Sequence, residues 1–136
     1  MDNVVNSPKA LICGDWLNAA LIGRELVERH WDVRCTDNED EANLMLLQED
    51  YDLVVIEWRP PQHDGFHTLH HIRTEMGVKD VPVLVVTEGI DPNVEYRLKN
   101  YGHVGLMHIP FIGPDFDCFQ CWQHQEHEYL NARKAA

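Results

Sequence analysis

Two short runs in this chain are apolar at consecutive positions rather than alternate ones: Leu53 to Ile56 inside "DLVVIE", and Val83 to Val86 inside "VPVLVVT". A strand covered on one face alternates apolar and polar residues. A run without alternation is covered on both faces, as in the middle of a parallel sheet. Parallel neighbours cannot be joined by a tight turn and need a crossover of a dozen or more residues, usually a helix.

The rest of the chain supplies such crossovers. "KALIC" (Lys9–Cys13) reads as a strand. Residues 17–30 have helical period, with Ala19, Ile22 and Leu26 near one face and Leu21 beside them. "DVRCT" (Asp32–Thr36) is a second, more polar strand. Asn38 offers a helix cap before "EDEANLMLLQED". "FHTLHHIRTEM" is helical, and Gly77 ends it. Pro92 suits the first turn of a short helix ending near Asn100. "GLMHI" is a short last strand, and a final helix is expected from Pro114 toward Arg133. These five β-α units predict a parallel sheet with helices on both faces. Residues 1–8 read as a tail, residues 9–133 as one domain and residues 134–136 as a second tail.

With 136 residues, 44% of them hydrophobic, the chain is large enough for one real core. Its net charge of −12 disfavours nucleic acid and anionic membranes as partners. No apolar run is long enough to span a bilayer, and the N-terminus does not read as a signal peptide. A cytoplasmic protein is expected. The four cysteines, Cys13, Cys35, Cys118 and Cys121, form no dense framework and are expected to be free thiols.

In open parallel sheets the functional crevice lies at the carboxyl ends of the strands. That directs attention to Asp15, Glu57, Thr87 and Ile109. Two other constellations contain metal-ligand types. His67 and His71 lie four apart, with His63 just before them, which is a spacing that can hold a transition metal. A solvated helix face is the plainer reading. Cys118, Cys121, His124 and His127 recur every three residues. Three residues turn a helix by only about 300°, so such ligands drift round the surface and do not close a tetrahedron. Helix packing by Phe119 and Trp122 is the plainer reading there.

From about Lys9 to Phe111 the chain resembles the receiver domain of two-component response regulators. "DLVVIEWRPPQHDG" is similar to that family's strand, phosphoacceptor and Pro-x-x-Asp-Gly turn, with Pro61, Asp64 and Gly65 in register. "VPVLVVT" matches the strand that ends in a switch threonine, here Thr87, and "IPF" stands where the family has Lys-Pro-Phe. The resemblance implies a flavodoxin-like (βα)5 three-layer sandwich with parallel strand order 2-1-3-4-5. It also implies a signalling role through protein contacts.

The chain departs from the family at its chemistry. Glu57 replaces the phosphoacceptor Asp, Gly14 and Asp15 stand for the acidic pair, and Ile109 replaces the invariant Lys. Glu88 replaces a small residue, and Leu106 the switch aromatic. For Mg²⁺ only Asp15, Glu57 and the carbonyl of Arg59 remain as ligands. An extra methylene displaces the carboxylate, and misplacement by about 1 Å costs on the order of a hundredfold in rate. Loss of the Lys removes the cation that would stabilise the transferred group.

The expectation is an atypical receiver without enzymatic activity or required cofactor, acting as a phosphorylation-independent interaction module, with a homodimer as one form of contact. Its interaction face would include Tyr96, Tyr101, Leu106 and Trp122. The alternatives are a Mg²⁺-dependent phosphoacceptor with residual activity and a metal or small-molecule sensor using the His or Cys clusters.

Overall fold

The computed structural model describes residues 7–14, 16–58, 65–75, 80–88, 96–98 and 100–108. Five strands form one parallel sheet in the order β2-β1-β3-β4-β5. They are β1 (Lys9–Cys13), β2 (Asp32–Thr36), β3 (Leu53–Glu57), β4 (Val83–Thr87) and β5 (Val104–His108). The helices described between them are α1 (Trp16–Glu28), α2 (Glu39–Gln48) and α3 (Gly65–His70). The strand order and parallel sense are those the resemblance implies.

The two continuous apolar runs hold the positions their pattern requires. Every residue of β3 and of β4 is buried. The outer strand β2 exposes Arg34 and Cys35, which explains its more polar sequence. The register is continuous across the middle of the sheet: Ala10 pairs with Leu53, Val54 with Val83, and Val83 with Val104.

Strand side chains point alternately to two faces, so the sheet carries two cores. On one, Ala10, Ile12, Leu53, Val55, Leu84 and Val86 meet Ala19, Ile22 and Leu26 of α1. On the other, Val54, Ile56, Val83 and Val85 meet Leu69, Ile72 and Leu98. Each fully buried Leu, Ile or Val contributes roughly 1.5–3 kcal/mol relative to exposure. The helix face read from the sequence is therefore correct for Ala19, Ile22 and Leu26. It is wrong for Leu21, which is 51% exposed. Leu21 is one position before Ile22, and a step of one residue turns a helix by about 100°, which takes it off the buried stripe.

Asn38 caps α2, its side-chain oxygen accepting from the Glu41 N–H at 3.1 Å. Three acids, Glu39, Asp40 and Glu41, follow in the first turn, where the helix dipole favours negative charge. The third helical segment is not uniform. After His70 it widens into a π-helical turn over His71–Glu75. Gly77, the C-terminal helix, and the cysteines and histidines beyond residue 108 lie outside the described residues.

Candidate functional site

The carboxyl ends of β1, β3 and β4 form one edge, and main-chain hydrogen bonds continue past the strands there. The Gly14 N–H donates to the Thr36 carbonyl at 3.0 Å, and the Trp58 N–H donates to the Val86 carbonyl at 2.8 Å. Both run between neighbouring strands, so the ends are held in place rather than fraying. Glu57 and Thr87 terminate β3 and β4 and are 5% and 3% exposed. Glu57 pairs with Val86, one residue before Thr87, and Thr87 pairs with His108. His108 is half-buried and Glu88 is exposed.

Gly14 and Glu57 are in close contact. A Cβ built on Gly14 would lie 2.7 Å from the Glu57 Cβ, 3.0 Å from its Oε1 and 3.5 Å from its Cδ. The Glu57 side chain thus runs beside the Gly14 backbone, through space that a side chain at position 14 would claim. A glycine is needed at this position for close approach, not for an unusual backbone angle. In the sequence Gly14 reads as a lost acid, and the signal of the contact is that Glu57, its spatial neighbour, is longer by one methylene than the family's Asp.

Asp15, Arg59 and Ile109 lie outside the described residues, so the structure locates Gly14, Glu57, Thr87 and Glu88 of the expected pocket. Cys13, one residue before Gly14, packs against the core cluster beneath the edge. Burial, with smaller contributions from Cys35 and Glu39, pushes its thiol up from 9.0 to about 12. A thiol held in that form is a poor nucleophile and a poor metal ligand. Cys13 and Cys35 are both free.

His63 lies outside the described residues, and two of the histidines on the third helical segment have other partners. His67 Nδ1 lies 2.9 Å from Glu39 Oε1, joining α3 to the first turn of α2. His70 Nδ1 lies 3.2 Å from the Tyr101 hydroxyl, with the rings edge to face. His71 is half-buried and begins the π-helical turn. Among the described residues no group of three or more His, Cys, Asp or Glu could hold a metal ion.

The expected interaction face is mixed in character. Tyr96 is 73% exposed. Tyr101 and Leu106 are half-buried and pack against the second core cluster. Trp122 lies outside the described residues.

A five-stranded parallel sheet in this order is the flavodoxin-like arrangement, and here an acid and a threonine close its central strands. The response regulator receiver domain family model matches residues 11–112, and the chain belongs to that family. Solved structures agree on the fold. Chemotaxis protein CheY4 of Vibrio cholerae is 18% identical, with 84% of this chain and 96% of that one covered, at a TM-score of 0.74. The Francisella response regulator 1452 receiver domain is 20% identical, with 90% and 99% covered, at a TM-score of 0.74. Response regulator TrrA from Thermotoga maritima, solved in complex with Mg²⁺-BeF, is 19% identical, with 83% and 97% covered, at a TM-score of 0.64. No curated protein sequence matches the chain. Among the described residues no helix is long and apolar enough to cross a membrane.

Mg²⁺ is the cofactor this family implies. It demands near-octahedral oxygen geometry and is usually held by one or two carboxylates with water and phosphate oxygens. Of the ligands the sequence offers for it, Asp15 and Arg59 lie outside the described residues. Position 14 brings no oxygen-bearing side chain, and the Glu57 Oε1 lies 3.0 Å from where a Cβ on residue 14 would sit.

Proposed function

We propose that this chain is a receiver domain that has given up phosphoryl chemistry and acts in signal transduction as a protein-interaction module. The observation that carries this reading is the seat of Glu57. Its carboxylate is buried and lies beside Gly14, in the space a pocket acid would use. Phosphoryl transfer to a carboxylate needs an in-line nucleophile, a cation on the phosphoryl oxygens and stabilisation of developing charge. Here Glu57 is one methylene longer than the family's Asp, and Ile109 stands where the family has its Lys. The proposed protein is not an enzyme and works in the cytoplasm.

Binding then carries the function. The candidate face is the one around Tyr96, Tyr101, Leu106 and Trp122, and its occupant is a second copy of the chain or a signalling protein. Aromatic residues are enriched at interfaces, and a few anchors usually dominate the binding energy. The test is sedimentation of wild type and Glu57→Gln over a range of concentrations, with and without Mg²⁺ and acetyl phosphate. The expected result is concentration-dependent association that neither the substitution nor the phosphodonor changes. Association that appears only with the phosphodonor, and only in the wild type, would overturn the reading.

A further inference from the structure

Helix α2 carries apolar side chains on two sides. Ala42 is buried and Leu46 packs against the second core cluster, so that side faces the sheet. Leu44 and Leu47 are 56% and 72% exposed. Two positions along a helix turn it by about 200°, which sets Leu44 opposite Ala42. Asp40, Leu44 and Leu47 follow the i, i+4, i+7 spacing of one stripe, and Asp40 is exposed as well. A helix lying on a sheet needs one apolar face, and α2 has a second that is open to water.

The charges around this stripe have one sign. Glu39, Asp40 and Glu41 open the helix, Glu49 and Asp50 follow its end, and the segment holds no Lys or Arg. Acids in the first turn suit the helix dipole, but acids past the last turn lie at its negative end. Lys9 Nζ reaches Glu49 Oε2 at 3.1 Å, and Asp50 is exposed. A cation brought to this end is therefore stabilised by the dipole and the acids together. Helix α1 also exposes apolar residues, Leu17, Leu21 and Val27. Its charges close on one another, Arg24 on Glu28 at 3.4 Å and Arg29 on Glu25 at 2.7 Å, so that face selects no sign of partner. A second copy of the chain meeting α2 through the same face would set acids against acids, which is costly.

We propose that the outer face of α2 is a docking surface for a basic amphipathic helix of a partner protein. Leu44 and Leu47 are its apolar anchors, and Asp40, Glu41 and Asp50 face the partner's lysines or arginines. Anchors recurring every three to four residues are the mark of this recognition mode. The leucines lose water on docking, and the acids steer a basic partner toward them. Helix α2 packs over β1 and β2, at the opposite edge of the sheet from β5 and Leu106. The surface is thus separate from the face around Tyr96 and Leu106, and it does not rest on the reading of the phosphate pocket.

The experiment is fluorescence anisotropy of a labelled synthetic helix titrated with the full chain. The peptide has about five turns, with leucines at i, i+3, i+4 and i+7 spacing and lysines elsewhere. One control has the same composition in scrambled order, and the other has glutamate for lysine. Saturable binding is expected for the patterned lysine peptide, tighter than for either control and weakening as salt rises. Leu44→Ala with Leu47→Ala is expected to weaken it by about tenfold or more, the scale of losing apolar anchors. Both positions are exposed and alanine is the best helix former, so this variant keeps α2. Asp40→Asn with Asp50→Asn is expected to weaken binding at low salt and to flatten its salt dependence. Leu17→Ala with Leu21→Ala, and Tyr96→Ala, are expected to leave it unchanged.

No saturable binding, binding matched by the scrambled peptide, or binding that the Leu44→Ala, Leu47→Ala variant retains overturns the proposal. Sedimentation of the chain alone supplies a further outcome: self-association that this variant abolishes assigns the face to a second copy and overturns the proposal. Loss of peptide binding in Tyr96→Ala, with the α2 variant unaffected, supports the face of the proposed function and ends this one.

Discussion

The guanidinium of Arg73 donates from Nη2 to the Val81 carbonyl at 2.6 Å, although Arg73 lies on the π-helical turn and Val81 on the approach to β4. The same nitrogen lies 3.1 Å from the Gly102 carbonyl and 3.3 Å from that of His103. Arg73 is 7% exposed. One buried cation therefore ties together the segments that enter β4 and β5, at the end of the sheet opposite Glu57. The His103 carbonyl also accepts the Val83 N–H at 2.9 Å, and His103 sits in the left-handed region at φ 60°.

Truncation of Arg73 would take a donor from the buried Val81 carbonyl and remove a charge-assisted clamp. Arg73→Ala is expected to destabilise the domain by about 3 kcal/mol. Arg73→Lys, which keeps the charge but loses the planar fork, should fall between it and the wild type. Urea unfolding of the three proteins checks this. Equal midpoints for wild type and Arg73→Ala would show that the clamp contributes nothing.

Alkaline pH should expose the buried thiol. The Cys13 thiol is raised from 9.0 to about 12 in the folded protein, chiefly by burial. The unfolded chain therefore loses this proton first. The stabilising contribution is complete below pH 9.0 and is lost as pH rises from there toward about 12. Burial raises Cys35 and Tyr51 as well, in the same sense. Cys13→Ala is expected to flatten the fall in stability above pH 9.0, measured as urea midpoints against pH. A slope unchanged by the substitution would contradict the placement of Cys13.

The two cysteines should also differ in reactivity. Cys35 is exposed on the outer strand, whereas Cys13 packs against the core. Alkylation of the folded protein followed by peptide mass mapping should modify Cys35 first and Cys13 only on unfolding. Equal rates would place Cys13 at the surface.

The candidate face separates into two kinds of residue. Tyr96 is 73% exposed, so Tyr96→Ala should change stability by no more than about 0.5 kcal/mol. It should weaken self-association or partner capture. Leu106 packs against the second core, and Leu106→Ala should cost about 1–2 kcal/mol, below the range for fully buried leucines. Thermal melts and sedimentation on the same samples distinguish the two. A protein monomeric at every concentration, with Tyr96→Ala indifferent in pull-downs, would remove this face.

The fold was legible because its strongest signals are one-dimensional. Leu53 to Ile56 and Val83 to Val86 lack alternation, and only a strand buried on both faces tolerates that. Asn38 announced its helix by its own chemistry. What was not legible depends on contacts between distant segments. Leu21 is apolar and beside the buried stripe, and how wide that stripe is depends on what the sheet covers, which stops short of Leu21. Nothing in the residues around Arg73 shows that the Val81 and Gly102 carbonyls accept from its side chain. The pocket was half-legible. Glu57 could be placed at a strand end from sequence alone, but its contact with Gly14 spans 43 positions and requires β1 and β3 to be neighbours.

The most direct measurement of the central claim is the intact mass of the purified protein after incubation with Mg²⁺ and acetyl phosphate. An unchanged mass is expected, because Glu57, with its carboxyl beside Gly14, stands in place of the family's Asp and Ile109 in place of its Lys. A stoichiometric gain of one phosphoryl group that disappears in Glu57→Gln would contradict it.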